Sequence, residues 1–405
     1  MKKIKICMTT IEFPPEPGGV GQSVHRIARM LAKIGCEVHV VVFHSRQLKT
    51  RNNDTLERGF DTSNDGDIHV YRSRASAKTD SNPLPEFLSD VAMEIKHLHE
   101  QQQFDVFHAF FMNETGFLTT LVARELGIPV INSVRGADLH KNVFNSKHFS
   151  QTLWSLENSS WITFVSRELE NRAHVLAPTT RDKTTAFWNS IEPVDFANLP
   201  KPKLKASLNG IVISSFGRFR DKKGIDYLIR ACRELNKEIE LTLLLVGDFI
   251  EKEQSYWQQF IAESGMKDNI IITGVVPRDE ALLYFSVVDI FAIPSLRDGC
   301  PNSMLEAMLA AKAIVGSTVD AIGEILVNNV NGLTVSPADT HGLTDALRTL
   351  ANDNSLRQRL GLAARNTALD KLSPEMECKN WLNVYQHVLN QPLAVNQHAM
   401  LAGIA

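Results

Sequence analysis

Short apolar runs alternate with amphipathic stretches along most of this chain. Residues 4–8 are a compact β-rich run. A Pro/Gly loop follows, then an apolar period of three and four over about 21–34, then a second run at 38–43. That order predicts a first βαβ unit. Further strands are expected at 104–109, 129–134, 161–165 and 184–187, with helical patterns between most of them. Residues 44–66 are polar and without period, and read as a long loop.

Near 193–210 the texture breaks, with Pro193, Pro200, Pro202 and several lysines. An interdomain linker has this composition. The α/β rhythm then resumes. Strands are expected at 211–216, 241–246, 269–273, 290–293 and 313–316, and helices at 225–235, 254–264 and 374–389. The expected architecture is therefore α/β, with two Rossmann-like doubly wound domains. Their bounds are 1–192 and 210–373, joined by a linker at 193–209 and followed by a helix within 374–391 and a frayed tail, 392–405. Ligands favour a cleft at the carboxyl ends of the strands of such domains.

Composition narrows the class. The net charge of −3 over 405 residues gives no global reason to expect nucleic acid. No stretch approaches the roughly 20 apolar residues of a membrane span. The basic start is followed by an apolar run too short for a signal peptide. Cys7, Cys36, Cys232, Cys300 and Cys378 are odd in number and form no CxxC pair. They read as reduced thiols of a cytoplasmic protein.

Candidate chemistry gathers at predicted strand ends. Gly18, Gly19 and Gly21 lie between the first strand and first helix. Glycines there allow close approach of a phosphate to a helix N-terminus, or simply make a tight turn. Gly217 and Arg218 end a strand of the second half, with Lys222 and Lys223 just beyond. Arginine's planar fork and lysine's point charge suit a diphosphate, though a solvated charged loop has the same look. Asp248 ends the next strand and is a cleft residue or a turn aspartate. The segment from Asp298 to Met308 is the richest. Pro301 suits a first helical turn, so the backbone N–H groups of Asn302, Ser303 and Met304 are expected to be free for an anion. Asp298 and Glu306 add carboxylates fit for sugar and ribose hydroxyls. Cys300 has no base near it in sequence and is not read as a nucleophile.

At this point the chain closely resembles the retaining GT-B glycosyltransferases of family four. The matching pieces are FGRFRDKKGIDYLIRA, LLLVGD, ITGVVP, DIFAIPSLRDGCPNSMLEAM and NGLTVSPAD. PGGVGQSVHRIARMLAKIGCEVHVV and IPVINSVRGADL match more loosely in the first half. The resemblance implies that Arg218 and Lys223 hold the donor diphosphate. It implies Glu306 on the ribose and Asp298 on the transferred sugar. Asn302, Ser303 and Met304 match amides that meet the phosphate and sugar. Gly18 and Gly19 match the first-domain glycine loop, and Asn189 the asparagine that precedes the linker. Arg135 stands in an Arg-Gly pair where the family commonly has His-Gly, and contacts donor phosphate, an anionic acceptor or a structural carboxylate. Asp298 replaces a glutamate, and Asp320-Ala321 replace a Gly-Gly before Glu324, which is expected to face the cleft. The 374–389 helix resembles the one that crosses back to the first domain.

These likenesses imply a hexose-type nucleotide-diphosphate sugar as co-substrate, transferred with retention to a saccharide or lipid-linked acceptor. Cell-surface polysaccharide synthesis is the implied setting. No cofactor is expected. Asn64-Asp65-Gly66-Asp67 falls in the polar loop, not in a plausible metal-binding dyad, so no metal is expected either. A sugar-nucleotide 2-epimerase of the same fold, or a non-catalytic subunit, are the alternatives. Arg72, Arg74 and Lys78, and a second stretch with Lys141, Phe144, Lys147 and Phe149, are candidates for peripheral membrane contact or solvated faces.

Overall fold

The computed structural model describes residues 3–16, 18–43, 59–74, 84–196, 198–203 and 207–390. Pro17, Lys78, residues 44–58 and the tail 391–405 lie outside them. The chain divides into two compact units, Met1–Trp188 with Pro374–Ala405, and Asn189–Ser373.

The first unit is an open sheet with strands β1 (Lys5–Thr10), β2 (Glu37–Val42), β3 (Phe60–Asp65), β4 (Ile68–Ser73), β5 (Val106–Phe110), β6 (Val130–Val134), β7 (Trp161–Phe164) and β8 (Thr184–Ala186). Their order is β3-β4-β2-β1-β5-β6-β7-β8. All neighbours are parallel except β3 on β4. Inner strands such as β5 and β6 are buried along their whole length, as helices on both faces require. The Gly19–Lys33 helix buries Val24, Ile27, Ala28 and Leu31, a stripe of period three and four. Because β1 lies between β2 and β5, the loop carrying Gly18 and Gly19 leaves the sheet where the strand order reverses.

Part of the expected 44–66 loop is a strand. Phe60–Asp65 pairs antiparallel with β4, and Gly66 and Asp67 form the hairpin turn, with Gly66 at φ +59°. Neither strand of this hairpin was expected. β3 is half-buried or exposed throughout. As the outermost strand it is nowhere fully buried and has no apolar alternation to display, and it is ordered largely by its ladder with β4.

The Pro374–Leu389 helix completes this unit. Trp381, Leu382, Val384 and Tyr385 join the core made by Ile6, Met8 and the first helix. Glu377 accepts two hydrogen bonds from Arg26, at 2.9 and 3.1 Å. Tyr385 Oη lies 2.7 Å from Nδ1 of His108 on β5.

The second unit contains β9 (Ile211–Phe219), β10 (Leu241–Phe249), β11 (Ile270–Ile272), β12 (Ile290–Ile293), β13 (Ala313–Ser317) and β14 (Leu333–Val335). The order is β11-β10-β9-β12-β13-β14, parallel throughout. The Ile225–Leu235 helix buries Ile225, Leu228, Ile229, Cys232 and Leu235 against this sheet. β9 and β10 run three residues beyond the expected ends at 216 and 246. Gly217 and Gly247, which read as strand ends, stay paired in register. A Cβ on Gly247 would lie 1.9 Å from the Gly217 carbonyl, so only glycine permits the continuation.

Candidate functional site

Two loops of the second unit leave adjacent carboxyl ends, one after β9 and one after β12. Leu296 N–H donates to the Lys222 carbonyl at 2.8 Å and ties them together. Gly224 sits beneath the second loop in the left-handed region, at φ +65°; a Cβ there would meet the Pro294 carbonyl at 2.0 Å. This close approach brings the lysines to Asp298. Lys223 Nζ lies 2.6 Å from Asp298 Oδ2, and Lys222 Nζ 3.2 Å from Oδ1. Asp298 is buried. Burial alone would raise its pKa, but the charges and hydrogen bonds of the two lysines hold it well below the usual carboxylate range. Burial lowers the Lys223 pKa, and Asp298 opposes the shift. The group is an aspartate clasped by two ammonium ions at a strand-end loop.

Asp298 is also fixed from behind. Its N–H donates to Asp320 Oδ2 at 3.0 Å, and Ala321 N–H donates to the Gly299 carbonyl at 3.1 Å. Asp320 is buried and holds φ +44° at the head of the Asp320–Ile325 helix. Glu324 lies half-buried on that helix.

The Asn302–Leu309 helix follows, with Pro301 as its N-cap rather than within its first turn. Here the expectation of three free amides needs correction. Met304 N–H donates to the Pro301 carbonyl at 3.0 Å, because the first turn is tightened to an i→i+3 bond. Asn302 and Ser303 head the turn. Asn189 fastens this helix start, its amide donating to the Cys300 carbonyl at 3.2 Å and to Asn302 Oδ1 at 3.1 Å. Glu306 is buried one turn further on and accepts from Arg278 Nε at 3.0 Å. Burial raises the Glu306 pKa and Arg278 counteracts it. Arg218 is exposed at the end of β9, register partner of Asp248 on β10. Asp248 accepts a hydrogen bond from Phe249 N–H at 2.8 Å.

In the first unit, Gly18 precedes the Gly19–Lys33 helix, and a Cβ on it would meet the Glu12 carboxylate at 2.0 Å. Arg135 follows β6, half-buried, with its N–H donating to Asp138 Oδ2 at 2.9 Å. Asp138 is buried and also accepts from Met112 N–H at 2.8 Å.

Three contributors escaped the sequence: Lys222 as second partner of Asp298, Asp320 as its backbone anchor, and Arg278 as partner of Glu306. A lysine next to Lys223 was the one available signal. The contacts of Asp320 and Arg278 cross 22 and 28 residues of chain and leave no local trace.

Comparisons with known proteins show the family. Residues 210–353 match the family model of glycosyl transferases group 1, and residues 17–194 that of glycosyltransferase family 4. The chain belongs to the GT-B glycosyltransferases of family four. It is similar to N-acetyl-alpha-D-glucosaminyl L-malate synthase of Bacillus anthracis, at 22% identity over 96% of this chain and 98% of that protein. A lipopolysaccharide core biosynthesis glycosyltransferase of Rhizobium meliloti is 31% identical over 48% of this chain and 53% of its own length. Among solved structures, sucrose-phosphate synthase of Thermosynechococcus elongatus superposes with a TM-score of 0.78 at 18% identity, covering 96% of this chain and 100% of that one. This glycosyltransferase thus shares its fold with sucrose-phosphate synthase. Among its described residues no helix is long and apolar enough to cross a membrane.

Proposed function

We propose that this glycosyltransferase moves a hexose-type sugar from a nucleotide-diphosphate sugar to an acceptor hydroxyl, with retention and without a metal ion. The observation that carries the proposal is the Asp298 cluster beside the Asn302–Leu309 helix start, with Arg218 at the neighbouring strand end. A departing diphosphate needs positive potential. Arg218, Lys222, Lys223 and the helix N-terminus supply it from this chain's own groups. Asp298 and Glu306 then serve as acceptors for sugar and ribose hydroxyls. Asp320, Asn189 and Arg278 hold these groups in place.

Retention follows the family, and NMR of the product's anomeric proton tests it; an inverted product refutes it. A panel of nucleotide sugars in a thermal-shift assay, followed by turnover with and without acceptor, identifies the donor. Donor consumed only when acceptor is present supports transfer. Free nucleotide released without acceptor points to an epimerase, and donor bound but never turned over points to a non-catalytic subunit.

The lipopolysaccharide relative supports a role in cell-surface polysaccharide or glycoconjugate synthesis, with a saccharide or lipid-linked acceptor. The setting proposed is the cytoplasm, with contact at the inner membrane face. Lys141 and Phe144 support that contact, since both are exposed and Phe144 is 83% accessible. Vesicles with and without anionic lipid test it: retention on anionic vesicles alone is expected, and no retention on either rejects it.

A further inference from the structure

Away from the strand ends that carry the glycine loop, the first unit holds a second cluster of chemically competent side chains. Glu37 and His39 are the first and third residues of β2, and His69 is the register partner of His39 on β4. Alternation puts Glu37 and His39 on one face of the sheet, and the register brings His69 beside them. One ligand atom from each of the three lies within 4.8 Å of the other two. The imidazole centroids of His39 and His69 are 4.7 Å apart, and His39 Nε2 is 3.0 Å from Glu37 Oε1.

The far nitrogens of both rings are occupied by oxygen atoms. His39 Nδ1 is 3.1 Å from Tyr71 Oη, and His69 Nδ1 is 3.1 Å from Asn64 Oδ1. In the ion-bound state a proton on each Nδ1, donated to these oxygens, would leave both Nε2 lone pairs to the ion, which would replace the proton between His39 Nε2 and Glu37. Oxygen atoms that accept from the outer ring nitrogen orient metal-binding histidines in this way. Phe104 packs edge-on against His39 at 5.1 Å and forms an apolar floor, while Glu37 and His69 are half-buried and reachable from solvent. Lys5 Nζ, 3.2 Å from Glu37 Oε1, supplies the counter-charge that a cation would replace.

We propose that Glu37, His39 and His69 form a binding site for one divalent zinc ion, separate from sugar transfer. Two imidazoles and one carboxylate suit zinc, with water completing a tetrahedron. The ion would pin β4, which carries the edge strand β3, to β2.

The test uses the full chain, stripped with chelator, and zinc alone as the probe. Calorimetric titration should give one equivalent bound, with a rise of a few degrees in the unfolding midpoint. Since the chain has 13 histidines, the controls decide the site. Glu37→Gln and His69→Gln sit at half-buried positions and should keep the apo midpoint. Each should weaken zinc binding at least tenfold and abolish the thermal shift. The cobalt-substituted wild type should show tetrahedral visible bands that His69→Gln lacks. Zinc bound equally by wild type and both variants, or by none of them, overturns the proposal. Because turnover is not the readout, failure here leaves the proposed transfer untouched, and failure of the transfer leaves the zinc site standing.

Discussion

Arg218 and Asp298 pose opposite problems for the residue that replaces them. Arg218 is exposed, so its truncation to alanine should leave stability within about 0.5 kcal/mol. If it faces the diphosphate in the transition state, kcat/KM should fall by about 100-fold, or ~2.7 kcal/mol. Paired thermal and kinetic measurements check both halves. Asp298 is different, because it holds two lysines that a phosphate would also seek. Asp298→Asn should lower kcat by about 100-fold while nucleoside diphosphate alone binds no more weakly, since the lysines are released from a competitor. Weaker diphosphate binding, measured by calorimetry, would show that Asp298 orders the lysines rather than competing for them.

At the scale of the element, His108 on β5 couples the sheet to the Pro374–Leu389 helix through Tyr385. It is fully buried. Burial first, and the nearby Arg135 charge second, push its pKa from an ordinary 6.5 down to about 3. The folded chain therefore keeps His108 neutral where the unfolded chain protonates it. The stability of the neutral ring is present in full above about pH 6.5 and is lost as pH falls toward 3, at up to about 1.4 kcal/mol per pH unit. Urea unfolding of wild type and His108→Gln at pH 7 and pH 5 should show this extra slope in the wild type only. Elements also mark how far the sequence could be read. The Ile225–Leu235 and Pro374–Leu389 helices carry their bounds in apolar period and flanking residues. β3 and the final residues of β9 and β10 do not, since polar edges and in-strand glycines look like loop until their partners are known. The candidate site divides in the same way. The Asp298 to Glu306 segment is local and legible, whereas Lys222 reaches Asp298 across 76 residues of chain.

For the whole molecule, a chelator experiment separates metal-free transfer from the proposed zinc site. At temperatures well below unfolding, EDTA should leave the transfer rate within about twofold if, as proposed, Arg218 and the lysines meet the leaving diphosphate. Activity lost in EDTA and restored by Mg²⁺ would reject metal-free transfer. The midpoint of unfolding should nonetheless drop when zinc is removed. The β3 hairpin has one more consequence. An open sheet ends in a row of unpaired N–H and C=O groups that invite a second chain. β3 occupies that end with Asp61, Thr62, Ser63, Asn64 and Asp65, all half-buried or exposed. Strand-to-strand docking there would bury little apolar surface and would disturb the Arg74–Asp61 and His25–Asp65 ion pairs, so the polarity that makes 60–65 read as loop also disfavours edge-to-edge pairing at this margin.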